Sequence, residues 1–85
     1  MKHILIVEDD TTFAVMLQTW LSKKKFSVAS VSGIAAAKKT LIESSVDLVL
    51  CDLRLPDGDG IDLLEWVSNR NVNCRLYTSP SPRDV

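Results

Sequence analysis

Two uninterrupted apolar segments, each followed directly by acidic residues, constrain the fold of this chain more than any other feature. The first covers residues 4–7 and leads into the acidic residues 8–10, and the second covers residues 48–51 and leads into Asp52. Neither segment alternates with polar residues, which is the pattern of a β-strand that is buried on both faces. Strands of this kind are typical of parallel sheets that carry helices on both sides.

Helical patterns separate the strand-like segments. Apolar residues recur at helical spacing after Thr11 and Thr12, and these two threonines are predicted to cap that first helix. The regular alternation of strand and helix predicts an α/β fold, a doubly wound parallel sheet with helices on both faces. The predicted elements are strands over residues 2–7, 26–31 and 46–52 and helices over residues 13–25, 34–43 and 61–70.

The acidic residues at the strand ends are candidate metal ligands. In open parallel sheets, ligands bind outside the carboxyl ends of the strands. If the first and third strands are neighbours, Glu8, Asp9 and Asp52 converge there on one small pocket, whereas Asp10 is expected to favour only the helix start. Like charges that are gathered in this way need compensation. Carboxylate oxygens favour Mg²⁺, which also keeps water molecules that a phosphate can displace.

The residues around these acids resemble the receiver domain of two-component response regulators. The resemblance rests on the sequence ILIVEDD at residues 4–10 and on DLVLCDLRLPDGDG at residues 47–60. It extends over about residues 2–72, and both motifs occur at the separation that the family has, with the expected elements between them. It implies a flavodoxin-like version of the predicted α/β fold.

The resemblance also implies a function for the acidic residues. Asp52 would accept a phosphoryl group from a phosphohistidine on a sensor histidine kinase or a phosphotransfer protein. Mg²⁺ would be held by Glu8, Asp9, Asp52 and the backbone carbonyl of Arg54. The chain would then act as a phosphorylation-controlled signalling switch and not as an enzyme with turnover.

Charge and hydropathy restrict the partners of this segment. The formal net charge is −1, which gives no electrostatic reason to expect contact with nucleic acid or an anionic membrane. No apolar stretch approaches the roughly 20 residues that span a bilayer, and the N-terminus lacks the pattern of a signal peptide. A cytoplasmic protein is therefore expected. Receivers normally precede an output domain on the C-terminal side, and that domain is absent from this sequence.

Two other functions are compatible with a flavodoxin-like fold. A phosphohydrolase that forms an aspartyl phosphate usually has a second acid two positions after the nucleophile, where this chain has Arg54. A binding module without phosphotransfer, such as an FMN binder or a pseudo-receiver, would favour a loop rich in Gly, Ser or Thr after the first strand, where this chain has acidic residues.

Two single residues carry structural expectations. Cys51 lies inside an apolar segment and is predicted to be a small core residue, because neither cysteine has the spacing of a metal site or a disulfide. Lys25 follows the first helix at a position where related receivers often carry glycine. It is expected to cost some stability if the backbone there requires a positive φ.

The C-terminal part departs from the resemblance, which implies five strands where three are evident. The elements from the fourth strand to the fifth helix are expected to be missing or replaced. The fourth strand should end in Thr or Ser and the fifth in Lys, but the last lysine of the chain is Lys39. Without further strands, the outer edge of the third strand would be unpaired.

The composition changes abruptly at Cys74. Residues 76–84 resemble the translation of a sequencing-library adapter, and Pro80 and Pro82 oppose continuation of a sheet. The expected organisation is a partial receiver domain over residues 1–73 and a non-native tail over residues 74–85. The alternative is that residues 76–79 form the end of a fourth strand, with Thr78 as the switch hydroxyl.

Overall fold

The structure is a computed structural model that describes residues 2–70 and 72–78. Strands and helices alternate along these residues, apart from a short hairpin between the third long strand and the third helix. The elements are β1 (His3–Val7), α1 (Thr11–Lys23), β2 (Ser27–Val31), α2 (Ile34–Glu43), β3 (Leu48–Asp52), β4 (Arg54–Leu55), β5 (Gly58–Asp59), α3 (Gly60–Val67) and β6 (Asn73–Tyr77).

Four of these strands form a parallel sheet in the order β2-β1-β3-β6 in the described part of the chain. β1 is paired on both sides, with Leu5 opposite Ala29 on one side and opposite Val49 on the other. The strand order reverses at β1, since the chain adds β2 on one side of it and β3 and β6 on the other. The predicted doubly wound α/β fold is therefore confirmed.

Alternate side chains of β1 point into two separate cores. Leu5 and Val7 pack with α2 and α3 on one face of the sheet, and Ile4 and Ile6 pack with α1 on the other. All four are at most 4% exposed, as expected for a central strand with helices on both faces. Cys51 belongs to the core under α2 and α3 and is fully buried, which confirms its predicted place.

The N-cap of α1 corrects a sequence-based expectation. Thr11 and Thr12 lie inside the helix, and Asp10 is the N-cap, with its Oδ1 accepting a hydrogen bond of 3.2 Å from the Phe13 amide. Asp10 has extended backbone angles and a short acceptor side chain, as an N-cap requires. The expectation that Asp10 serves the helix start is confirmed.

The expectation of three strands with an unpaired outer edge on the third is wrong. Leu48–Asp52 pairs along its length with Asn73–Tyr77 in β6. Arg75 is exposed because β6 is at the edge of the described sheet, while Cys74 and Leu76 pack against the core under α2 and α3. Pro80 and Pro82 lie outside the described residues. Sheet pairing does not report the origin of a sequence, so the non-native origin of residues 74–85 stays a prediction.

Candidate functional site

The carboxyl edge of the sheet brings the acidic residues together. Val7 and Cys51 are paired in neighbouring strands, so the residues that follow them, Glu8 and Asp52, emerge side by side at this edge. Asp9 follows in the turn toward α1. One carboxylate oxygen from each of Glu8, Asp9 and Asp52 can be chosen so that all three lie within 4.8 Å of one another.

Two of these three carboxylates are withdrawn from solvent. Glu8 is 3% exposed and Asp52 is 2% exposed, whereas Asp9 is half-buried. Removing a carboxylate from water is costly unless hydrogen bonds or a cation compensate. The Glu8 Oε2 atom accepts a bond of 2.9 Å from the Asp10 amide, and the Asp52 Oδ1 atom accepts one of 3.3 Å from the Arg54 amide.

Tyr77 is a residue at this site that the sequence analysis did not identify. It is paired with Asp52 at the end of β6, and its hydroxyl donates a hydrogen bond of 2.9 Å to Glu8 Oε1. Burial and the neighbouring Glu8 carboxylate raise the pKa of Tyr77, so the hydroxyl stays protonated and remains a donor. The Phe13 ring supports it in an edge-to-face contact with centroids 5.8 Å apart.

Thr78 follows Tyr77 directly and is exposed. Because Tyr77 is opposite Asp52, Thr78 lies one residue beyond the sheet edge at which the carboxylates gather. The strand pairing thus puts Thr78 at the same end of the sheet as Asp52. The role of Thr78 as a switch hydroxyl stays a proposal.

The loop after Asp52 is held close to the strand end. Arg54 and Leu55 form a two-residue hairpin with Gly58 and Asp59, and the hairpin is closed at its base by a 2.7 Å bond from the Gly60 amide to the Leu53 carbonyl. Gly60 is required there, since a Cβ atom would come within 2.5 Å of the Asp52 carbonyl oxygen. The Arg54 backbone is therefore fixed beside the Asp52 side chain.

The donor set fits a hard divalent cation. Carboxylate oxygens and a backbone carbonyl are ligands that Mg²⁺ prefers, and Glu8, Asp9 and Asp52 offer oxygens at close range. The neighbouring Cys51 is not suited to metal binding, because burial raises the pKa of its thiol to about 12. The chemistry of the site thus matches Mg²⁺ and not a metal that requires thiolate.

Sequence comparison identifies relatives over most of the chain. GltR of Pseudomonas aeruginosa, a transcriptional regulatory protein, is 38% identical over 74 residues, which are 86% of this chain and 31% of GltR. TorR of Escherichia coli K12, the transcriptional regulatory protein of the TorCAD operon, is 33% identical over 82 residues, which are 95% of this chain and 36% of TorR. The chain thus spans about a third of the length of these curated relatives.

Solved structures share the fold. The MaeR response regulator bound to beryllium trifluoride has a TM-score of 0.86 and 40% identity, over 96% of this chain and 70% of the solved chain. The non-phosphorylated HemR receiver domain of Leptospira biflexa has a TM-score of 0.85 and 32% identity, over 98% of this chain and 68% of the solved receiver-domain chain. The family model described as the response regulator receiver domain matches residues 4–81. With this match over most of the chain and an acidic cluster at the carboxyl edge of its parallel sheet, the chain belongs to the family of response regulator receiver domains.

Proposed function

We propose that Asp52 accepts a phosphoryl group from a phosphohistidine of a sensor histidine kinase or a phosphotransfer protein. The main support is that carboxylate oxygens of Glu8, Asp9 and Asp52 lie within 4.8 Å of one another at the carboxyl edge of the sheet. Asp52 is the acceptor because it ends the strand next to β1, with the acidic pair of the β1 end beside it. Receiver domains are signalling domains, and phosphorylated Asp52 would be a signal and not a step of turnover.

The proposed Mg²⁺ ligands are Glu8, Asp9, Asp52 and the backbone carbonyl of Arg54. When bound, the cation would neutralise charge on the phosphoryl oxygens and on the gathered carboxylates. The protein contributes placement. The Arg54 amide orients the Asp52 carboxylate through Oδ1, and the amide of Asp10 and the hydroxyl of Tyr77 hold the two oxygens of Glu8. A fixed carboxylate loses less conformational freedom when it attacks phosphorus.

Thr78 is proposed as the hydroxyl that contacts the phosphoryl group after transfer. Its support is its position immediately after the residue that is paired with Asp52. MaeR, at 40% identity, was solved with beryllium trifluoride, an inorganic group of phosphoryl-like size and charge, which agrees with an anion-binding site in this family.

The wider role of the parent protein is also a proposal. GltR and TorR are transcriptional regulatory proteins, and the chain covers 31% and 36% of their lengths. We therefore infer that a receiver of this kind controls an output domain that lies C-terminal to it and makes the contacts to DNA. No helix among the described residues is long and apolar enough to cross a lipid bilayer. The expected cytoplasmic location stays a prediction.

A small-molecule phosphodonor tests this function. The 85-residue chain is incubated with acetyl phosphate and Mg²⁺, and intact-protein mass spectrometry records the product. We expect a mass increase of one phosphoryl group that requires Mg²⁺ and disappears in Asp52→Asn. Asp59→Asn, which alters an exposed acid of the nearby hairpin, is the matched control and should be labelled like the unaltered chain. Labelling that persists in Asp52→Asn would refute the assignment.

A further inference from the structure

Asp57 makes a contact that the proposed chemistry does not use. It lies at the tip of the β4–β5 hairpin, and its carboxylate spans the first amides of α2. Oδ1 accepts a hydrogen bond of 2.9 Å from the Ile34 amide, and Oδ2 accepts one of 3.1 Å from the Ala35 amide. The hairpin after the acceptor strand is thus attached to a helix that precedes that strand in the chain.

The start of α2 is shaped to receive this carboxylate. Its N-cap is Gly33, which has no side chain with which to cap the helix. The backbone of Gly33 is extended, at φ −160° and ψ 175°, so a residue with a side chain could adopt it. A Cβ atom at Gly33 would lie 3.0 and 3.1 Å from the two carboxylate oxygens of Asp57. Glycine at this position therefore leaves room for a cap that comes from another element.

The other end of the hairpin meets the candidate cation site. Arg54 is paired with Asp59 and Leu55 with Gly58, and the Arg54 amide donates to Asp52 Oδ1 at 3.3 Å. Only two residues lie between Leu55 and Gly58, the pair nearest the tip of the hairpin. A displacement of the tip would therefore also shift the Arg54 backbone. The hairpin is a short arm that is held at both ends.

The helix that anchors the tip is itself tied to the acidic cluster. Ser32 and Gly33 connect α2 to β2, and the Val31 carbonyl at the end of β2 accepts a 2.9 Å hydrogen bond from the Glu8 amide. A continuous path therefore runs from Glu8 through the start of α2 and the Asp57 carboxylate to Arg54. Both ends of this path are proposed metal ligands.

We propose that Asp57 is a positioning residue for the cation site, which holds the hairpin against α2 and thereby fixes the Arg54 backbone beside Asp52. This inference rests on the proposed function, because it assumes that the Arg54 carbonyl is a ligand. The alternative is that Asp57 is only a helix cap. The Ile34 and Ala35 amides lower the pKa of Asp57, so its carboxylate is ionised near neutral pH, as the contact requires.

A double variant separates positioning from capping. Asp57→Ala removes both the cap and the attachment of the hairpin. Adding Gly33→Ser gives α2 a cap of its own, in the space that the Asp57 carboxylate vacates, but does not restore the attachment. Mg²⁺ affinity is measured by titration of the full chain, from the amide NMR shifts of Glu8, Asp9 and Arg54. Thermal unfolding is measured on the same samples.

We expect Asp57→Ala to lower both the unfolding temperature and the Mg²⁺ affinity. The expected loss of affinity is about tenfold, the lower end of the range for residues that orient a metal ligand without binding the metal. The double variant should regain the unfolding temperature and keep the reduced affinity. Asp62→Asn, which removes one negative charge from the exposed first turn of α3, should retain the affinity and so controls for the loss of charge alone. Asp57→Asn keeps one acceptor oxygen and should show a smaller decrease, which provides a reading if Asp57→Ala does not fold.

The inference is overturned if the double variant regains both properties, or if Asp57→Ala and Asp57→Asn bind Mg²⁺ as the unaltered chain does. A decrease in Asp62→Asn equal to that in Asp57→Ala also overturns it, since charge alone would then explain the change. Failure of the unaltered chain to bind Mg²⁺ at all is a distinct result. It would refute the proposed function and, with it, the inference.

Discussion

Lys25 is a residue whose backbone conformation conflicts with its side chain. It has φ 70°, in the left-handed region that favours glycine. The conformation arises because α1 ends in a Schellman motif, in which the Phe26 amide bonds to the Leu21 carbonyl at 3.3 Å and the Lys25 amide to the Ser22 carbonyl at 3.0 Å. The expected cost at Lys25 depended on a positive φ at that position, and this condition is confirmed.

Lys25→Gly should stabilise the chain. Glycine removes the steric cost of the left-handed conformation but also loses more freedom on folding, so the expected net gain is about 0.5–1 kcal/mol in the free energy of unfolding. Chemical denaturation measures this free energy, provided that its dependence on denaturant concentration has the same slope in both chains. Lys23→Gly, in the last turn of α1, is the matched control and should be destabilising by a similar amount. A loss of stability in Lys25→Gly would contradict the account.

The site residues differ in how far the sequence predicts them. Glu8, Asp9 and Asp52 are predictable because each follows a strand-like segment, and parallel strands end at a common edge. Tyr77 and Asp57 are not, because their partners Glu8 and Ile34 are distant in the chain and lie on other elements. Contacts of this kind depend on the packed structure and leave no local pattern in the sequence.

β6 is the element at which sequence and structure differ most. The abrupt change in composition opposes a strand near the C-terminus, as do Pro80 and Pro82. The strand nevertheless ends at Tyr77, before either proline. An arginine such as Arg75 would be unfavourable in a central, buried strand. In the described sheet β6 is at the edge, where an exposed arginine is acceptable and also discourages further pairing.

Deleting residues 73–85 should destabilise the chain because it removes β6. The deletion would leave the outer edge of β3 without its partner and expose the core residues that Cys74 and Leu76 cover. We expect a lower unfolding temperature and loss of a sharp transition, measured by circular dichroism. A chain that ends at Thr78 retains β6 and is the matched control, which should unfold like the full chain.

Equal unfolding of all three chains would contradict the contribution of β6. It would favour the interpretation of residues 74–85 as a non-native tail that adds nothing to the domain. A clear loss in the shorter chain alone would instead show that the C-terminal segment is integrated in the sheet, whatever its origin.

The whole molecule is asymmetric about its sheet. The face under α2 and α3 has a core that includes Leu5, Val49 and Leu63, each fully buried. On the other face, in the described part of the chain, α1 is the helix that packs on the sheet, and Leu48 and Leu50 of β3 are only half-buried. The acidic cluster lies at the carboxyl edge of the sheet, where the ends of β1 and β3 are paired.

The type of fold is easier to predict from the sequence than the number of strands in the sheet. Alternation of strand and helix is sufficient to predict the parallel sheet and the place of the acidic residues, since few topologies satisfy that order. The extent of the sheet depends on whether a short mixed segment such as residues 73–77 finds a partner edge. That outcome is decided by tertiary pairing and not by local propensity.

The central claim is that Asp52 is the phosphoryl acceptor, and chemical mapping of the phosphorylated chain tests it most directly. Borohydride reduces an acyl phosphate to an alcohol and so converts phosphorylated aspartate into homoserine, which peptide mass spectrometry locates. After treatment with acetyl phosphate and Mg²⁺, the account predicts homoserine at position 52 and none when Mg²⁺ is withheld. Conversion of Asp9 or Asp59 with Asp52 unchanged, or conversion of Asp52 that does not require a divalent cation, would contradict the account.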